Sequence, residues 1–399
     1  MKGSKVVVGV TGGIAAYKAA ELVRLLVKAG AVTQVAMTHH ATKFITPLTF
    51  ESLSGNRVVA DMWSSETHPF DHITWAQESD LIIIAPATAN FIGKMAHGIG
   101  DDFLSTLVIA ATARILVCPS MNAQMYLSRA VQDNLAILRA RGWAILEPGS
   151  GELACRTEGP GRLPEPEDIV EQARMLLSKQ DLAGLRILVT AGATMEPLDP
   201  VRYMSNRSSG KMGYALARAA RMRGAKVSLV SGPTALKPPR DVTLSRVKTA
   251  EEMRQTVLAE CRQADVIIKA AAVLDWRPKE TAGHKIKKGH GFRTLELVEN
   301  PDILAELGHN RGKNRRLLVG FAAETQDLIA NAQEKLKKKN IDLIVVNDVS
   351  REDAGFEADT NAVKIVYRDG RMEELPLAPK EEVAHQLLDR IKTLWEEAS

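Results

Sequence analysis

The stretch K-V-V-V-G-V-T-G-G at residues 5–13 decides the fold of the first half, and R-I-L-V-T-A-G-A-T at 186–194 repeats its pattern in the second. Each is an apolar strand that runs into a turn of small residues, with a helix-compatible stretch soon after. This order places backbone N–H groups and a helix N-terminus where a ligand phosphate can bind. The two openings predict two phosphate-ligand sites and two activities on one polypeptide.

The length of 399 residues predicts two or three domains, and 45% hydrophobic residues are enough for sizeable cores. We expect a cytoplasmic protein on the grounds that follow. A net charge of +4 and an aromatic content of 5% give little support to a nucleic-acid partner. The chain opens directly on a strand and its apolar runs are short, so we expect no signal peptide and no membrane partner. Three cysteines, Cys118, Cys155 and Cys261, indicate a reducing compartment.

Apolar strands alternate with helical stretches in both halves, which predicts two Rossmann-like α/β domains with mostly parallel sheets covered on both faces. The polar stretch at 178–184 is the predicted boundary, so the domains would run over 1–180 and 185–399. Cys118 ends a predicted strand and Cys261 shares a helical face with apolar residues, so both are expected in the core. Strands are predicted at 5–10, 31–37, 81–85, 114–118, 186–190, 225–230, 265–270, 316–319 and 342–346. Helices are predicted near 14–29, 167–178, 211–223, 250–261, 301–308, 327–339 and after Lys380.

Small and polar residues follow three strands of the first half, in T-G-G-I at 11–14, A-P-A-T-A-N at 85–90 and P-S-M-N-A-Q-M-Y at 119–126. All three would lie at the carboxyl edge of the sheet, where open α/β sheets bind ligands. T-G-G-I alone is a weak signal, because it lacks the G-x-G-x-x-G spacing of a dinucleotide fingerprint. The three segments together predict a ligand site.

P-S-M-N-x-x-M-Y, the D-H-I at 71–73 and G-E-L-A-C-R-T-E-G-P-G-R at 151–162 resemble motifs of the FMN-dependent phosphopantothenoylcysteine decarboxylases. These belong to the homo-oligomeric flavin-containing cysteine decarboxylases and have a flavodoxin-like fold. The resemblance implies that His72 is the catalytic base, Asn122 binds the substrate carboxylate and Cys155 on a flap donates a proton. Arg156 departs from the family, which has glycine at that position. The residues implied to contact FMN are Gly12, Gly13, Thr38, Thr88, Ala89 and Asn90.

These residue types suit decarboxylation of a cysteine derivative. A carboxylate on an aliphatic carbon cannot lose CO₂ until the neighbouring thiol is oxidised to a thioaldehyde that accepts the electrons, and flavin carries electrons. His72 can assist that oxidation because imidazole exchanges protons near neutral pH. A histidine beside Asp71 is otherwise typical of a surface or helix-capping position.

In the second half, the segment at 190–213 combines a small-residue turn, a long loop and a helix opened by S-S-G. The loop offers the amide of Asn206 and the guanidinium groups of Arg202 and Arg207 to an oxygen anion. K-A-A-A-V-L-D-W at 269–276 and G-F-A-A-E-T at 320–325 each follow a strand to the same edge. K-I-K-K at 285–288 lies in a polar loop, and N-P-D-I-L at 300–304 opens a helix, with Asn300 as its predicted cap and Pro301 at its first position.

S-N-R-S-S-G-K-M-G, and K-A-A-A-V-x-D-W with K-I-K-K, are similar to motifs of phosphopantothenate–cysteine ligases. The order of the halves resembles the fused bifunctional enzymes of bacterial coenzyme A biosynthesis. The resemblance implies ligation of 4′-phosphopantothenate to cysteine through an acyl-cytidylate that Asn206 helps to turn over, then decarboxylation to 4′-phosphopantetheine. The residues implied to bind the co-substrate CTP are Lys269, Ala270, Ala271, Asp275, Lys285, Pro301, Asp302, Ile303, Leu304, Phe321, Lys335 and Lys339.

Attack of a carboxylate on the α-phosphate of CTP brings two anions together. Lysines such as Lys285, together with Mg²⁺, are expected to neutralise the developing charge, although the sequence does not predict the metal ligands. K-x-K-K runs are otherwise typical of solvated loops, and R-G-K-N-R-R at 311–316 is interpreted as such a surface.

Two alternative functions stay open at this stage. One is a nicotinamide oxidoreductase, against which the missing dinucleotide fingerprint argues. The other is a flavin- or nucleotide-sensing regulator that has lost turnover. The resemblance also implies trimeric flavin domains and paired ligase domains, and hence a homo-oligomer that reaches a dodecamer. The residues do not distinguish CTP from ATP.

Overall fold

The computed structural model describes residues 1–64, 67–152, 158–287, 294–312, 315–324, 328–348 and 358–397. It divides into two compact units, Met1–Ser178 and Lys179–Ser399. Among the described residues, no helix combines the length and the apolar character needed to cross a membrane.

The first unit alternates strands and helices along its whole length. Its strands are β1 (Lys5–Val10), β2 (Val32–Met37), β3 (Val58–Val59), β4 (Leu81–Ala87), β5 (Arg114–Pro119), β6 (Ala144–Ile145), β7 (Gly149–Glu152) and β8 (Glu158–Arg162). Its α-helices are α1 (Ala16–Lys28), α2 (Pro47–Ser54), α3 (Asp71–Glu78), α4 (Ala89–His97), α5 (Phe103–Ala110), α6 (Ala123–Leu127), α7 (Arg129–Ala140) and α8 (Pro166–Leu177).

The main sheet of this unit is parallel, with the strand order β3-β2-β1-β4-β5-β6. Alternate side chains of β1 enter two cores: Val6 and Val8 pack with α1 and α8, whereas Val7 packs with α4 and α5. The sheet order reverses between β1 and β4, and such a switch point opens a crevice at the carboxyl ends of the strands. The predicted α/β fold is confirmed.

Several elements of the first unit were not predicted from the sequence. The chain forms helices α2 to α5 between the predicted strands, so that His72 lies in the first turn of α3 and Asn90 in the first turn of α4. Strands β7 and β8 pair antiparallel in a stretch where no strand was predicted. Cys118 is fully buried at the end of β5, as expected.

The second unit restarts the same pattern. Its strands are β9 (Arg186–Ala191), β10 (Met195–Pro197), β11 (Tyr203–Ser205), β12 (Lys226–Ser231), β13 (Thr243–Arg246), β14 (Val266–Lys269), β15 (Trp276–Pro278), β16 (Leu297–Glu299), β17 (Leu317–Glu324), β18 (Leu343–Asp348), β19 (Thr360–Tyr367) and β20 (Met372–Pro379). Its α-helices are α9 (Lys211–Met222), α10 (Ala250–Glu260), α11 (Ile303–His309), α12 (Leu328–Lys338) and α13 (Lys380–Glu397).

The large sheet of this unit has the order β13-β12-β9-β14-β17-β18-β19-β20. The first six of these strands pair in parallel, but β19 and β20 are antiparallel additions that the sequence analysis missed. The alternating burial of β19 is typical of an antiparallel strand with one half-exposed face. Helices α9 and α13 pack on one face of the sheet, and α10, α11 and α12 pack on the other.

Three local predictions for this unit can be checked. Asn300 does not cap α11, because Asp302 is the N-cap and accepts a hydrogen bond from the Ala305 N–H at 3.0 Å. The Asn300 side-chain amide instead donates to the Leu274 carbonyl at 2.9 Å. The surface interpretation of 311–316 is wrong for Arg311, which is half-buried and pairs with Asp342 at 2.9 Å. Cys261 is buried, as expected.

Candidate functional sites

The first unit contains a cavity of about 1320 Å³ at the carboxyl edge of its sheet. Its walls come from the turn after β1, the segment after β2, the start of α4 and the segment after β5. The sequence-predicted residues that line it are Gly12, Gly13, Thr38, Thr88, Ala89, Asn90 and Asn122. The structure therefore brings together residues from four separate segments of the chain.

A buried threonine joins two walls of this first cavity. The Thr11 hydroxyl lies 2.7 Å from the Pro86 carbonyl, to which it donates, and it accepts a hydrogen bond from the Thr88 N–H at 3.1 Å. Thr88 in turn caps α4 by accepting from the Phe91 N–H at 3.4 Å. The turn after β1 is thus fixed against the N-terminus of α4.

Gly12 allows a close approach of the chain on the opposite side. A Cβ at this position would lie 2.4 Å from the Cβ of His40 and 2.9 Å from its backbone carbon. Thr38, two residues before His40, is almost buried, and its hydroxyl accepts from the Ala41 N–H at 3.3 Å. Because only glycine fits at this contact, the segment after β2 packs directly against the turn after β1.

Asn122 begins α6, where its side-chain oxygen accepts from the Gln124 N–H at 2.8 Å. The preceding Met121 N–H donates to the Gly161 carbonyl at 3.0 Å. A Cβ at Gly161, whose φ is +142°, would lie 2.1 Å from the Met121 carbonyl oxygen. Strand β8, which follows the predicted flap, is therefore seated against the segment that carries Asn122.

His72 does not line the first cavity among the described residues. Its ring packs edge-on against Phe103, a cavity-wall residue, at a centroid distance of 6.4 Å. The neighbouring Asp71 carboxylate accepts from the His68 N–H at 2.9 Å and pairs with Arg57. Cys155 and Arg156 lie outside the described residues.

The second unit contains a cavity of about 800 Å³ at the carboxyl edge of its sheet. The sequence-predicted residues that line it are Asn206, Lys269, Ala270, Ala271, Asp275, Pro301, Asp302, Ile303, Leu304, Phe321, Lys335 and Lys339. Lys285 is exposed and is not among the cavity-lining residues that the structure describes.

Buried threonines also anchor the segment after β14. The Thr190 hydroxyl accepts from the Ala271 N–H at 3.1 Å, and the Thr194 hydroxyl accepts from the Leu274 N–H at 3.2 Å. The Asn206 side-chain amide donates to the Ala272 carbonyl at 3.2 Å, which fixes it beside the same segment.

Lysines converge at the end of this second cavity that lies towards α11 and α12. Lys269 is only 8% exposed, and burial lowers its pKa to about 8, with Asp302 opposing and Lys339 reinforcing the change. Lys339 forms an ion pair with Asp302 at 3.0 Å. Burial acts to raise the pKa of Asp302, but the Ala305 N–H and Lys339 lower it overall. This end combines several positive charges with one carboxylate, a balance that suits a polyanion.

Four further polar residues of the second cavity were given no role by the sequence analysis. Lys211 and Lys380, at the starts of α9 and α13, line the cavity together with Asn347 and Asn361. The side-chain oxygens of both asparagines are buried and have no hydrogen-bond partner in the part of the chain that the structure describes. Strands β18 and β19 bring these residues to the sheet edge, and no local motif in the sequence marks them.

The loop that carries Lys285 is attached to the β10–β11 hairpin. The Arg202 guanidinium forms an ion pair with Asp199 at 2.6 Å and donates to the Ile286 carbonyl at 2.9 Å. In this chain Arg202 is therefore engaged in holding the loop rather than lining the cavity.

Comparison with known proteins gives matches over both units. The family model described as "Flavoprotein" matches residues 1–178, and that described as "DNA/pantothenate metabolism flavoprotein C-terminal domain" matches residues 182–394. The coenzyme A biosynthesis bifunctional protein CoaBC of Bacillus subtilis (strain 168) is 47% identical over 390 residues, covering 96% of each chain. The chain belongs to this family.

Other members show a similar degree of likeness. The family member from Escherichia coli (strain K12) is 45% identical over 403 residues, which cover 100% of this chain and 98% of that protein. A crystal structure of the C-terminal domain of a CoaBC protein is 44% identical, covers 55% of this chain and 100% of its own, and has a TM-score of 0.48.

The contact at Gly12 yields a test of the first site of this flavoprotein family member. We expect Gly12→Ala to lower the flavin content of the purified protein, because the new Cβ would push the segment after β2 away from the turn after β1. The measurement is the flavin-to-protein absorbance ratio. Gly93→Ala is the matched control, since a Cβ there would meet only Asn134, at 3.6 Å. Equal flavin content in both variants would contradict the expectation.

Proposed function

We propose that residues 185–399 ligate 4′-phosphopantothenate to cysteine with CTP, and that residues 1–180 decarboxylate the product with FMN. Two separate cavities carry this proposal, each lined by most of the residues that were expected to bind its cofactor or co-substrate. Membership of the family argues against the nicotinamide oxidoreductase and the sensing regulator that the sequence left open.

The residues of the first cavity fit FMN. Helix α1 starts beside the turn after β1 without a side-chain cap on its N-terminus, which suits a phosphate group. Thr88, Ala89 and Asn90, at the start of α4, offer small side chains and hydrogen-bonding groups to a flat ring. When bound, FMN would accept two electrons from the substrate and return them. FMN is the one electron carrier in this proposal for the decarboxylation.

The chain's own groups would position the substrate and move its protons. Asn122 would hold the substrate carboxylate at the cavity wall, and His72 would accept a proton from the thiol as general base. The His72 ring packs edge-on against Phe103, a residue of the cavity wall, with the ring centroids 6.4 Å apart, so His72 lies directly beside that wall. Cys155 would return a proton to carbon.

A histidine substitution tests this assignment. We expect His72→Asn to lower the decarboxylation rate by about 100-fold or more, the usual contribution of a general base. Flavin content and ligation should stay at the wild-type level, because His72 is not part of the first cavity wall. His97→Asn is the control, since His97 contacts Asn134 at 3.1 Å and does not line the cavity. Decarboxylation at the wild-type rate in His72→Asn would rule out the assignment.

In the second cavity, we propose that CTP lies at the end where Lys269, Lys335 and Lys339 converge. These lysines would neutralise the triphosphate, and Pro301 to Leu304 would form a wall beside it. Asn206 would act on the acyl-cytidylate, since its amide is fixed beside the segment after β14. The described residues contain no group of three or more His, Cys, Asp or Glu side chains placed to hold a metal. We propose that Mg²⁺ enters bound to the phosphates of CTP, because Mg²⁺ keeps several waters and binds mainly through substrate phosphates at such sites.

The pKa of Lys269 predicts how CTP binding depends on pH. Below pH 8 the Lys269 ammonium is charged and attracts phosphate, and as the pH rises through 8 the free enzyme loses this charge. We therefore expect the affinity for CTP, measured by calorimetry, to fall on the alkaline side of pH 8. Lys269→Met should bind CTP more weakly and with a flatter pH profile, whereas the exposed Lys279→Met should retain the wild-type profile. Identical profiles in all three proteins would refute the role of Lys269.

Substitution of Lys285 tests whether the two activities are separate. We expect Lys285→Gln to lower amide formation by about 100-fold, because one positive charge would be missing when the α-phosphate is attacked. Decarboxylation of supplied 4′-phosphopantothenoylcysteine should be unchanged. The two rates are measured on one preparation, with Lys279→Gln as the control. A parallel fall in both rates would contradict the two-site proposal.

We also propose that the enzyme is a homo-oligomer, with trimeric flavin domains and paired ligase domains that reach a dodecamer. Ile14, Tyr17 and Trp63 line the first cavity although they are 60%, 61% and 87% exposed. Large apolar side chains that are exposed at a ligand site are typical of surfaces that become buried against another protein. Their exposure here therefore supports the proposal of a partner subunit at this site.

A further inference from the structure

The Asp199 carboxylate accepts hydrogen bonds from donors in two segments that lie far apart in the sequence. It lies in the turn of the β10–β11 hairpin, and its side chain is 0% exposed. One carboxylate oxygen accepts from the backbone N–H groups of Val201 and Arg202, each at 2.8 Å. The other accepts from the Arg202 guanidinium at 2.6 and 2.9 Å and from the Ile286 N–H at 3.2 Å.

The contacts to Ile286 fix the loop that follows β15. Asp199 accepts from the Ile286 N–H, and Arg202 donates to the Ile286 carbonyl at 2.9 Å, so both backbone groups of this residue are bound to the hairpin. Earlier in the same loop, the Ala282 N–H donates to the Leu198 carbonyl at 3.0 Å. Lys285 lies between these two attachment points.

The Asp199 carboxylate can hold the loop at every pH at which the enzyme works, because it stays ionised. Its hydrogen bond to Arg202 is the main reason why the pKa of Asp199 lies well below its usual range, and the backbone donors add to the effect. The group therefore stays ionised through the pH range in which an enzyme works. Both carboxylate oxygens face only donors, so an asparagine would have to turn its NH₂ group either to the Arg202 guanidinium or to the backbone N–H groups of Val201 and Arg202, none of which can accept.

We propose that Asp199 is a positioning residue for ligation, which holds the loop so that Lys285 can reach the second cavity. The inference rests on the proposed role of Lys285 in ligation. Lys285 is exposed and lies outside the cavity wall, so the place where its loop is attached limits where its ammonium group can go. Asp199 acts through Lys285 and touches no reacting atom.

A double-mutant cycle tests the proposal in the full-length enzyme. We expect Asp199→Asn to lower kcat/KM for CTP in ligation by about 10-fold in the wild-type background. In the Lys285→Gln background the same change should lower it by less than about 2-fold, because the group that Asp199 positions is already absent. An equal loss in both backgrounds would overturn the proposal, since an independent structural defect would multiply.

Three further measurements keep the result clear. Decarboxylation by each preparation should be unchanged. Glu296→Gln is the matched control, because the ion pair of Glu296 is with Lys279 and not with the Lys285 loop. Trypsin should cleave Asp199→Asn faster than wild type after Lys285 and Lys287. An unchanged cleavage rate would show that Asp199 does not hold the loop. Ligation at the wild-type rate in Lys285→Gln alone would identify the proposed role of Lys285 as the failure.

If Asp199→Asn does not fold, a backbone change tests the same contact. Ile286→Pro removes the N–H that donates to Asp199 while it leaves the pair between Asp199 and Arg202 intact. We expect a loss of ligation similar to that expected for Asp199→Asn. Wild-type ligation by Ile286→Pro, at an unchanged melting temperature, would overturn the proposal.

Discussion

In each unit, the position of one cavity wall depends on a hydrogen bond that is accepted by a buried threonine at the end of the central strand. The Thr11 hydroxyl binds the Thr88 N–H, and the Thr190 hydroxyl binds the Ala271 N–H, each at 3.1 Å. Both threonines are almost completely buried. Each hydrogen bond crosses the switch point of its sheet and reaches the segment after the neighbouring strand. A typical hydrogen bond contributes about 0.5–1.5 kcal/mol to stability, so each bond favours one position for the segment that lines the cavity.

The sheets place these threonines with little freedom. Strands β1 and β9 are covered on both faces, and their apolar side chains enter separate cores on the two sides. Polar groups on such strands are therefore confined to the strand ends. Glycine at positions 12 and 213 then lets neighbouring segments approach more closely than any side chain would allow. The similar construction of the two cavities follows from this shared constraint, although the ligands proposed for them differ.

Most of the first cavity was predictable, because its residues are local motifs that directly follow strands, as Thr88 to Asn90 follow β4. The same logic found Lys269 to Asp275 after β14. It failed for Asn361, because β19 is an antiparallel addition to a sheet that was expected to be parallel. It also failed for Asn347, which lies near the end of the parallel strand β18 but belongs to no recognised motif. It also misassigned the cap of α11, since Asn300 and Asp302 are both good caps and tertiary contacts with Leu274 engaged Asn300.

Apolar strands separated by small-residue turns were therefore sufficient to predict two α/β units and several segments that meet at each ligand edge, whereas the resemblance to known families implied the individual ligand residues. The spacing of apolar residues along the chain is a local property of the sequence. It directly determines which side chains of a strand or helix share a buried face. The attachment of the Lys285 loop through Asp199, and the packing of His72 against Phe103 in the wall of the first cavity, join residues that lie far apart in the sequence. Such contacts arise when whole elements pack together, so no local pattern encodes them.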